Sequence, residues 1–457
     1  MHIKTDEHKM ILPEDLFMPK DLLLANRDRN TIIVGNNKGN ISDYIGLSLM
    51  QGKTSFVVMD PGGTFCDGYS GYLADKGYKV KRLDFVHTDR SSHYNPFSYI
   101  RSDGDIETLV MSITDSALKA LMDDDVKSYV ISCCRPLLVA LISYVCHYEK
   151  EENRNFSYVI SLLAEELRFM KSHSSRLDEM FGSIENNEPG SHALKNYKAF
   201  SLAAGTYGRN RMNCISACLE ILKVFTLKEM ADLTNTDDME LDRIGDEMTA
   251  VFVSVPKRRS IFDLAVSMFF TQFFNVMIDY CENRAEFTQV VADGDGNVIK
   301  CFRADKGSIK EAEKEAEDFL ERAKEGRIFY NEDAGRYEVV TAHNELVCFR
   351  GSEEEAEEAL RRVKNGKLIN RADCANRGMA LPIQTWVIFV RLPHTYGIWR
   401  LEMLLAILRK YGIFVSIATK SLMQLQEEYG DDNSWPEAEV NCDTIVLFKK
   451  GQGQRMI

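Results

Sequence analysis

No uninterrupted apolar run in this sequence reaches the ~18–20 residues that a membrane span requires. The two best stretches, PLLVALISYVCHY (136–148) and DLAVSMFFTQFFNVMIDYC (263–281), are too short or broken by polar residues, and read as core helices. Positive charge is also scarce: 56 Lys and Arg stand against 69 Asp and Glu, a net −13 that argues against a broad nucleic-acid-binding face. No Cys-x-x-Cys occurs among the eleven cysteines, where Cys133 and Cys134 are adjacent and Cys214 and Cys218 lie four apart. That scatter fits buried, reduced thiols of a cytosolic protein better than zinc ligands or a disulfide frame. The opening MHIKTDEHKM is too polar for a signal peptide. Low-complexity tracts and proline-broken core strands are absent too.

What is present is an ordinary globular composition. The 457 residues are 45% hydrophobic and 27% charged, with room for about three domains. Residues 30–84 alternate strand and helix: TIIVG, SDYIGLSLMQG, SFVVMD, a helix near 64–76, then YKVKRLDF. β-Branched apolar runs separated by helical segments predict a parallel sheet with crossover helices. Runs of the same kind return as MTAVFVSVP (248–256), TWVIFV (385–390), GIFVSIA (412–418) and DTIVLF (443–448), so the expectation is one doubly wound α/β sheet.

Two segments interrupt that sheet. Residues 104–240 carry helical patterns such as IETLVMSITDSALKALM and NCISACLEILKVF without a convincing strand, and are expected to form an all-helical insertion. Residues 287–375 hold an internal repeat, in which TQVVADGDGNVIKCFR and KEAEKEAEDFLERAKEGRIFYN are echoed by YEVVTAHNELVCFR and EEEAEEALRRVKNGKLIN. Each unit reads hairpin, charged helix, short strand. The α/β domain is then assembled from 1–103, 241–286 and 376–457. Asp293-Gly294-Asp295-Gly296-Asn297 looks superficially like a calcium loop but lacks the acidic residue at its twelfth position, and reads as a hairpin turn. The Glu/Lys-rich helices read as solvated faces, with a docking surface as the alternative.

The stretch Val34-Gly35-Asn36-Asn37-Lys38-Gly39-Asn40-Ile41-Ser42 sits between a strand and a helix, where a phosphate-binding loop belongs. With Gly39 as the second glycine, Asn40 and Ile41 stand where Lys and Ser/Thr are needed; with Gly35 as the first, Ser42 closes the motif but Ile41 replaces the lysine. No register supplies the lysine that pairs with the β- and γ-phosphates, and Lys38 is the nearest cation. Gly52-Lys53-Thr54 spells the motif's ending in the wrong place: it follows a helix, and Leu47 stands where the first glycine is required. Gly52 reads as a helix C-cap. The strand TWVIFV runs into Arg391 with no carboxylate before Glu402, so nothing there would hold Mg²⁺.

The ordered set SFVVMDPGGT with KGYKVKRLDF, HYNPFSYI (93–100), KNYKAFSLAAG (195–205), LTNTDDMELDRIGDEMTAVFVSVP (233–256), IFVSIATKSLMQLQEEYGDD (413–432) and NCDTIVLF (441–448) resembles the type IV secretion coupling proteins of conjugation systems, TraG/TraD-like. The resemblance covers most of 27–448 outside the repeat. It implies a RecA-like P-loop NTPase fold with an all-alpha insertion, in a family whose working members are membrane-bound hexamers that use ATP to pass relaxase-bound DNA to a secretion channel. It also implies site positions. The family's loop Lys and Thr fall on Asn40 and Ile41, and its Asp-Pro-Lys-Gly-Glu on Asp60-Pro61-Gly62-Gly63-Thr64. Its metal-binding Asp-Glu falls at about Val390-Arg391, and its later glutamine on Lys420.

These departures give the expectation of a pseudoenzyme of a mobile genetic element, with no catalytic residue and no metal site. The degenerate nucleotide positions are Gly35, Lys38, Gly39, Asn40 and Ser42, with Asp60, Arg391 and Lys420 around them. No cofactor is expected, although ATP binding without hydrolysis is compatible with the loop. The family's N-terminal membrane helices have no counterpart before the first strand. The expected partners are therefore proteins of a conjugation apparatus (an active coupling protein, relaxosome or substrate proteins) rather than DNA directly. The expected location is cytoplasmic, with recruitment to the inner face of the membrane by a partner. The alternative is a DNA-transfer ATPase with a rearranged nucleotide site.

Overall fold

The computed structural model describes residues 9–11, 17–19, 30–35, 38–52, 54–119, 124–170, 175–205, 208–258, 261–283, 288–295, 298–303, 309–332, 335–350, 352–370, 381, 383–390, 401–423, 425, 441–442, 444–448 and 455–456. After a small hairpin of β1 (Lys9–Ile11) and β2 (Phe17–Pro19), the chain builds an eight-stranded sheet. Its strands are β3 (Thr31–Gly35), β4 (Ser55–Pro61), β5 (Lys79–Asp84), β6 (Thr249–Val255), β13 (Thr385–Phe389), β14 (Ile413–Thr419), β15 (Thr444–Phe448) and β16 (Arg455–Met456). The order is β16-β15-β3-β14-β13-β4-β6-β5, and only β16 runs antiparallel. All seven apolar runs expected in the sheet are in it; β16 is an addition.

Helices cover both faces, which is why the central strands are apolar on both sides. Ile33, Phe56, Val58, Phe252, Trp386 and Ile388 face α1 (Lys38–Gln51) and α2 (Thr64–Asp75). The alternate residues Ile32, Val57, Met59, Val253, Val387 and Phe389 belong to the larger core, shared with α11 (Asp263–Asn283), α14 (Leu401–Leu408) and the helical insertion. Asn30, buried just before β3, ties the sheet's middle together: its amide donates to the Leu405 and Asn441 carbonyls at 2.9 and 3.1 Å and accepts from Val415 N–H at 3.0 Å.

The insertion consists of α3 (Asp103–Lys119), α4 (Asp124–Tyr129), a π-helical turn Val130–Cys134, α5 (Arg135–Tyr148), α6 (Phe156–Met170), α7 (Arg176–Asn187), α8 (His192–Ala204), α9 (Arg209–Ile221) and α10 (Lys228–Thr234). Continuation through the π turn makes one helix longer than the sequence reading allowed. By length and composition Lys127–Tyr148 and Asp263–Glu282 could each cross a membrane, yet 61% and 83% of their apolar windows are buried by the rest of the chain. Both are core helices, as expected.

The start and end of the insertion are clasped by Asp237. Its carboxylate accepts from Tyr99 Oη at 2.6 Å and from the Asn95 N–H at 3.1 Å, while the Tyr99 hydroxyl also accepts from Leu241 N–H at 3.1 Å. Tyr94 adds a bond to Gln272 of α11 at 2.5 Å. Burial pushes the Asp237 carboxyl up to about 6, against those hydrogen bonds. A carboxyl raised on folding contributes stability at low pH that is lost as pH rises through its folded value. The Tm advantage of the native chain over Asp237→Asn should therefore shrink from about pH 4 to about pH 6 and stay level above it. A difference that is flat across that window refutes the assignment. Glu240, held down to about 2 by Lys79 and Lys81, contributes stability that is lost as pH falls below its ordinary value, but both chains carry it and it drops out of the difference.

The repeat forms two units: β7 (Thr288–Ala292), β8 (Val298–Arg303), α12 (Ile309–Lys324) and β9 (Arg327–Asn331), then β10 (Arg336–Val340), β11 (Leu346–Arg350), α13 (Glu353–Lys364) and β12 (Lys367–Asn370). The units exchange their last strands: the sheets are β11-β10-β9 and β12-β7-β8. In the calcium-like segment Gly294 and Asp295 form a turn, and Gly296 and Asn297 lie outside the described residues. The Asp293 carboxylate accepts from Asp295 N–H at 3.0 Å, and Asp295 pairs with Arg362 of α13 at 3.2 Å.

Candidate nucleotide site

In an open α/β sheet, ligands bind beyond the carboxyl ends of the strands where the strand order reverses. Here that point is β3, flanked by β15 on one side and β14 on the other. Gly35 is the last residue of β3, and α1 starts at Lys38, so only Asn36 and Asn37 separate strand from helix. A phosphate loop places four residues between its two glycines. In this chain Gly39 and Asn40 instead belong to the first turn of α1, and Ser42, exposed, lies past that turn. Two residues thus stand between the end of β3 and the start of α1, against the four that a phosphate loop places between its glycines.

The parallel register sets Thr419 against Val34, so Lys420 and Gly35 are the next residues out on adjoining strands. The structure therefore brings Gly35, the start of α1 and the exposed Lys420 together, a juxtaposition that sequence spacing could not show. Arg391 lies outside the described residues. Gly52 closes α1 with φ of +60°, as a C-cap glycine does, and Lys53 lies outside the described residues.

Asp60 is placed differently from the nucleotide-facing position given to it above. β14 and β13 separate β4 from β3, a distance of about 14 Å at ~4.8 Å per strand. The Asp60 carboxylate is fully buried and aimed at the first turn of α2, where it accepts from Cys66 N–H at 2.9 Å and Thr64 Oγ1 at 3.3 Å. Burial raises its pKa, opposed by the helix N–H groups of Cys66, Phe65 and Thr64. Asp60 thus occupies the helix N-terminus that would otherwise attract an external anion.

Gly62 and Gly63 make this possible, with φ of +84° and +74° that turn the chain from β4 into α2. Lys257, reaching over from the end of β6, fills the space beside Gly62: a Cβ there would sit 2.3 Å from Lys257 Cε. Arg82 sits above Gly63 and pairs with Asp84 at 2.7 Å and Asp67 at 2.9 Å. Sequence reasoning did not single out Lys257, Arg82 or Asp84. The one available signal was Asp60-Pro61-Gly62-Gly63-Thr64 at a strand-to-helix junction, a carboxylate and two turn-forming glycines just before a helix N-terminus.

The family model for type IV secretory system conjugative DNA transfer matches residues 45–291. That span opens inside α1 and does not include the loop at 34–42. No curated protein matches the chain. Among solved structures, the bacterial conjugative coupling protein TrwBdeltaN70 in a trigonal form with sulphate is 11% identical, with a TM-score of 0.51 over 96% of this chain and 73% of that one. TrwB in complex with ADP and Mg²⁺ is 12% identical, with a TM-score of 0.52 over 96% and 73%. These identities speak for fold: a RecA-like P-loop NTPase sheet with helices on both faces. With the family match spanning more than half its length, the chain belongs to the type IV secretory system conjugative DNA transfer family, the TraG/TraD-like coupling proteins.

Proposed function

We propose that this chain is a coupling-protein relative that has kept the motor fold as a scaffold and does not hydrolyse ATP, acting as an accessory or adaptor in conjugative DNA transfer. The observation that carries the reading is the two-residue connection between Gly35 and Lys38, combined with Asn40 and Ile41 where the family's lysine and threonine belong. Removing one preorganised transition-state group typically costs ~10²–10³ in rate, and here the phosphate lysine and metal carboxylates are absent together. Partner recognition would fall to the helical insertion or the exchanged repeat module, with proteins of the conjugation apparatus as targets.

A thermal shift with ATP and ADP, each with and without Mg²⁺, tests this. A nucleotide at 100 times its Kd adds ~2.7 kcal/mol, so the expected result is no Mg²⁺-dependent rise in Tm at millimolar nucleotide. A second reading, an ATPase with a rearranged site, draws on Lys420 beside Gly35. It predicts a Mg²⁺-dependent shift and phosphate release, both abolished by Lys420→Ala, and that result would overturn the scaffold reading.

A further inference from the structure

The helical insertion contains a chemical group that the nucleotide question leaves untouched. Cys134, Cys214 and Cys218 are completely buried, and their sulfurs lie within 4.8 Å of one another. Cys134 and Cys214 sulfurs are 3.8 Å apart. That is non-bonded contact, far beyond the ~2.05 Å of a disulfide. Two backbone carbonyls also face the group, that of Cys214 at 3.9 Å from Cys134 Sγ and that of Cys134 at 3.8 Å from Cys218 Sγ, and the Cys133 side chain reaches Cys214. Among the described residues no carboxylate, imidazole or cationic side chain is hydrogen-bonded to them.

Two features of the backbone build this group. Cys214 and Cys218 lie one turn apart on α9 and so share a face. Cys134 ends the π-helical turn Val130–Cys134, an extra-residue winding that is rare and recurs at functional sites. Adjacent Cys133 and Cys134 are both buried there, and the Cys134 sulfur lies against both Cys214 and Cys218 of α9.

We propose that Cys134, Cys214 and Cys218 form a three-thiolate site for one soft, thiophilic d¹⁰ cation, Zn²⁺ or Cu⁺, which staples the 124–148 helix to α9. Metal–sulfur bonds of about 2.3 Å in a trigonal array place the sulfurs about 4.0 Å apart, close to the spacing already present. Sulfur-only ligation selects Zn²⁺ and Cu⁺ over the oxygen-seeking Mg²⁺ and Ca²⁺. On binding, three S–H bonds break and three metal–sulfur bonds form. The three protons pass to solvent, and neither sulfur nor metal changes oxidation state. The reading of the cysteines as inert buried thiols then holds for Cys66 and Cys281 but not for these three.

The test uses the full chain, purified under reducing, oxygen-free conditions and loaded with Zn²⁺, Cu⁺ or the spectroscopic stand-in Cd²⁺. Expected are one ion per chain by native mass spectrometry, thiolate-to-Cd²⁺ charge-transfer absorption, and a rise in Tm. Cys134→Ser and Cys218→Ser should lose all three, and Cys66→Ser should keep them. Removal by EDTA against removal by a Cu⁺-selective chelator identifies which ion a chain isolated from cells carries. Should the serine variants not fold, the unmodified chain still decides: bound metal should protect Cys134, Cys214 and Cys218 from alkylation in mild denaturant and leave Cys66 unprotected. Equal labelling with and without metal, binding that survives Cys134→Ser, or a Cys134–Cys214 disulfide in the isolated chain overturns the proposal.

Discussion

Replacing Arg211 by methionine is expected to lower the stability of the helical insertion by about 3–5 kcal/mol, the usual consequence of leaving a buried charge without its partner. Arg211 on α9 is fully buried, as is Glu166 on α6. Its Nη2 lies 3.4 Å from Glu166 Oε1, 3.2 Å from Asp178 Oδ1, 3.2 Å from Ser175 Oγ and 2.6 Å from Tyr197 Oη. The guanidinium also lies over the Phe200 ring at 4.9 Å. One cation thereby connects α6, the first turn of α7, α8 and α9. Without it, Glu166 keeps the Ser175 hydroxyl and the Leu177 N–H, at 2.7 and 3.0 Å, but loses its counter-charge. Methionine matches the volume, so the loss is electrostatic and not a cavity.

A double variant separates the causes. Arg211→Met with Glu166→Gln removes both charges and keeps an acceptor for Leu177, so it should recover about half or more of the loss. The measurements are urea unfolding followed by circular dichroism for the free energy and thermal unfolding for Tm, with a drop of roughly 10 °C expected for the single variant. A single-variant loss below about 1 kcal/mol would show that water reaches Glu166 and that the cluster is not a dry ion pair.

Arg211 also marks where sequence reading stops. Within RNRMNCISACLEI nothing distinguishes it from Arg209 except the face of α9 it occupies. The sheet was legible because its strands are buried on both sides, and β-branched apolar runs such as TIIVG and IFVSIAT have few other uses. That no register of 34–42 supplies the motif's lysine can be read directly, because a motif fixes residue type at each position. The length of the connection was not legible: Asn36, Asn37 and Asn40 are all capping residues, so none of them alone marks where α1 begins, and nine residues from 34 to 42 could all have been loop. Lys420 came beside Gly35 through strand register, a property of pairing across almost 400 residues. Asp60 was legible as a strand-end carboxylate, but its commitment to α2 depends on two left-handed glycines whose conformation the sequence only permits.

The repeat module shows the same boundary, and its topology leads to the other large effect. Each unit was readable as ββαβ, but period and propensity are the same whether a last strand returns to its own hairpin or crosses to the other. The structure crosses them, and the crossing passes through Gly326 and Gly366. A Cβ on Gly326 would lie 2.5 Å from the Val340 carbonyl oxygen, and one on Gly366 would lie 2.9 Å from that of Ala292. Val340 and Ala292 end the first strands of the opposite units. The same symmetry recurs in the links Ala342 N–H to Arg322 O and Gly294 N–H to Arg362 O, both 2.9 Å. Backbone oxygens held in a sheet cannot step aside as a side chain can. Gly326→Ala and Gly366→Ala should therefore each cost about 1–3 kcal/mol by overpacking. Gly182→Ala in α7 meets nothing within 4 Å and should be neutral or slightly stabilising. Because each sheet contains a strand from the other unit, either crossing variant should lose hydrogen-exchange protection in β7, β8 and β12 together with β9, β10 and β11, while the central sheet keeps its own. Each unit contributes only a handful of buried apolar residues, too few to hold one sheet once the other has opened. Protection lost in one sheet alone would mean that the two sheets are stable separately and that the exchange confers no cooperativity.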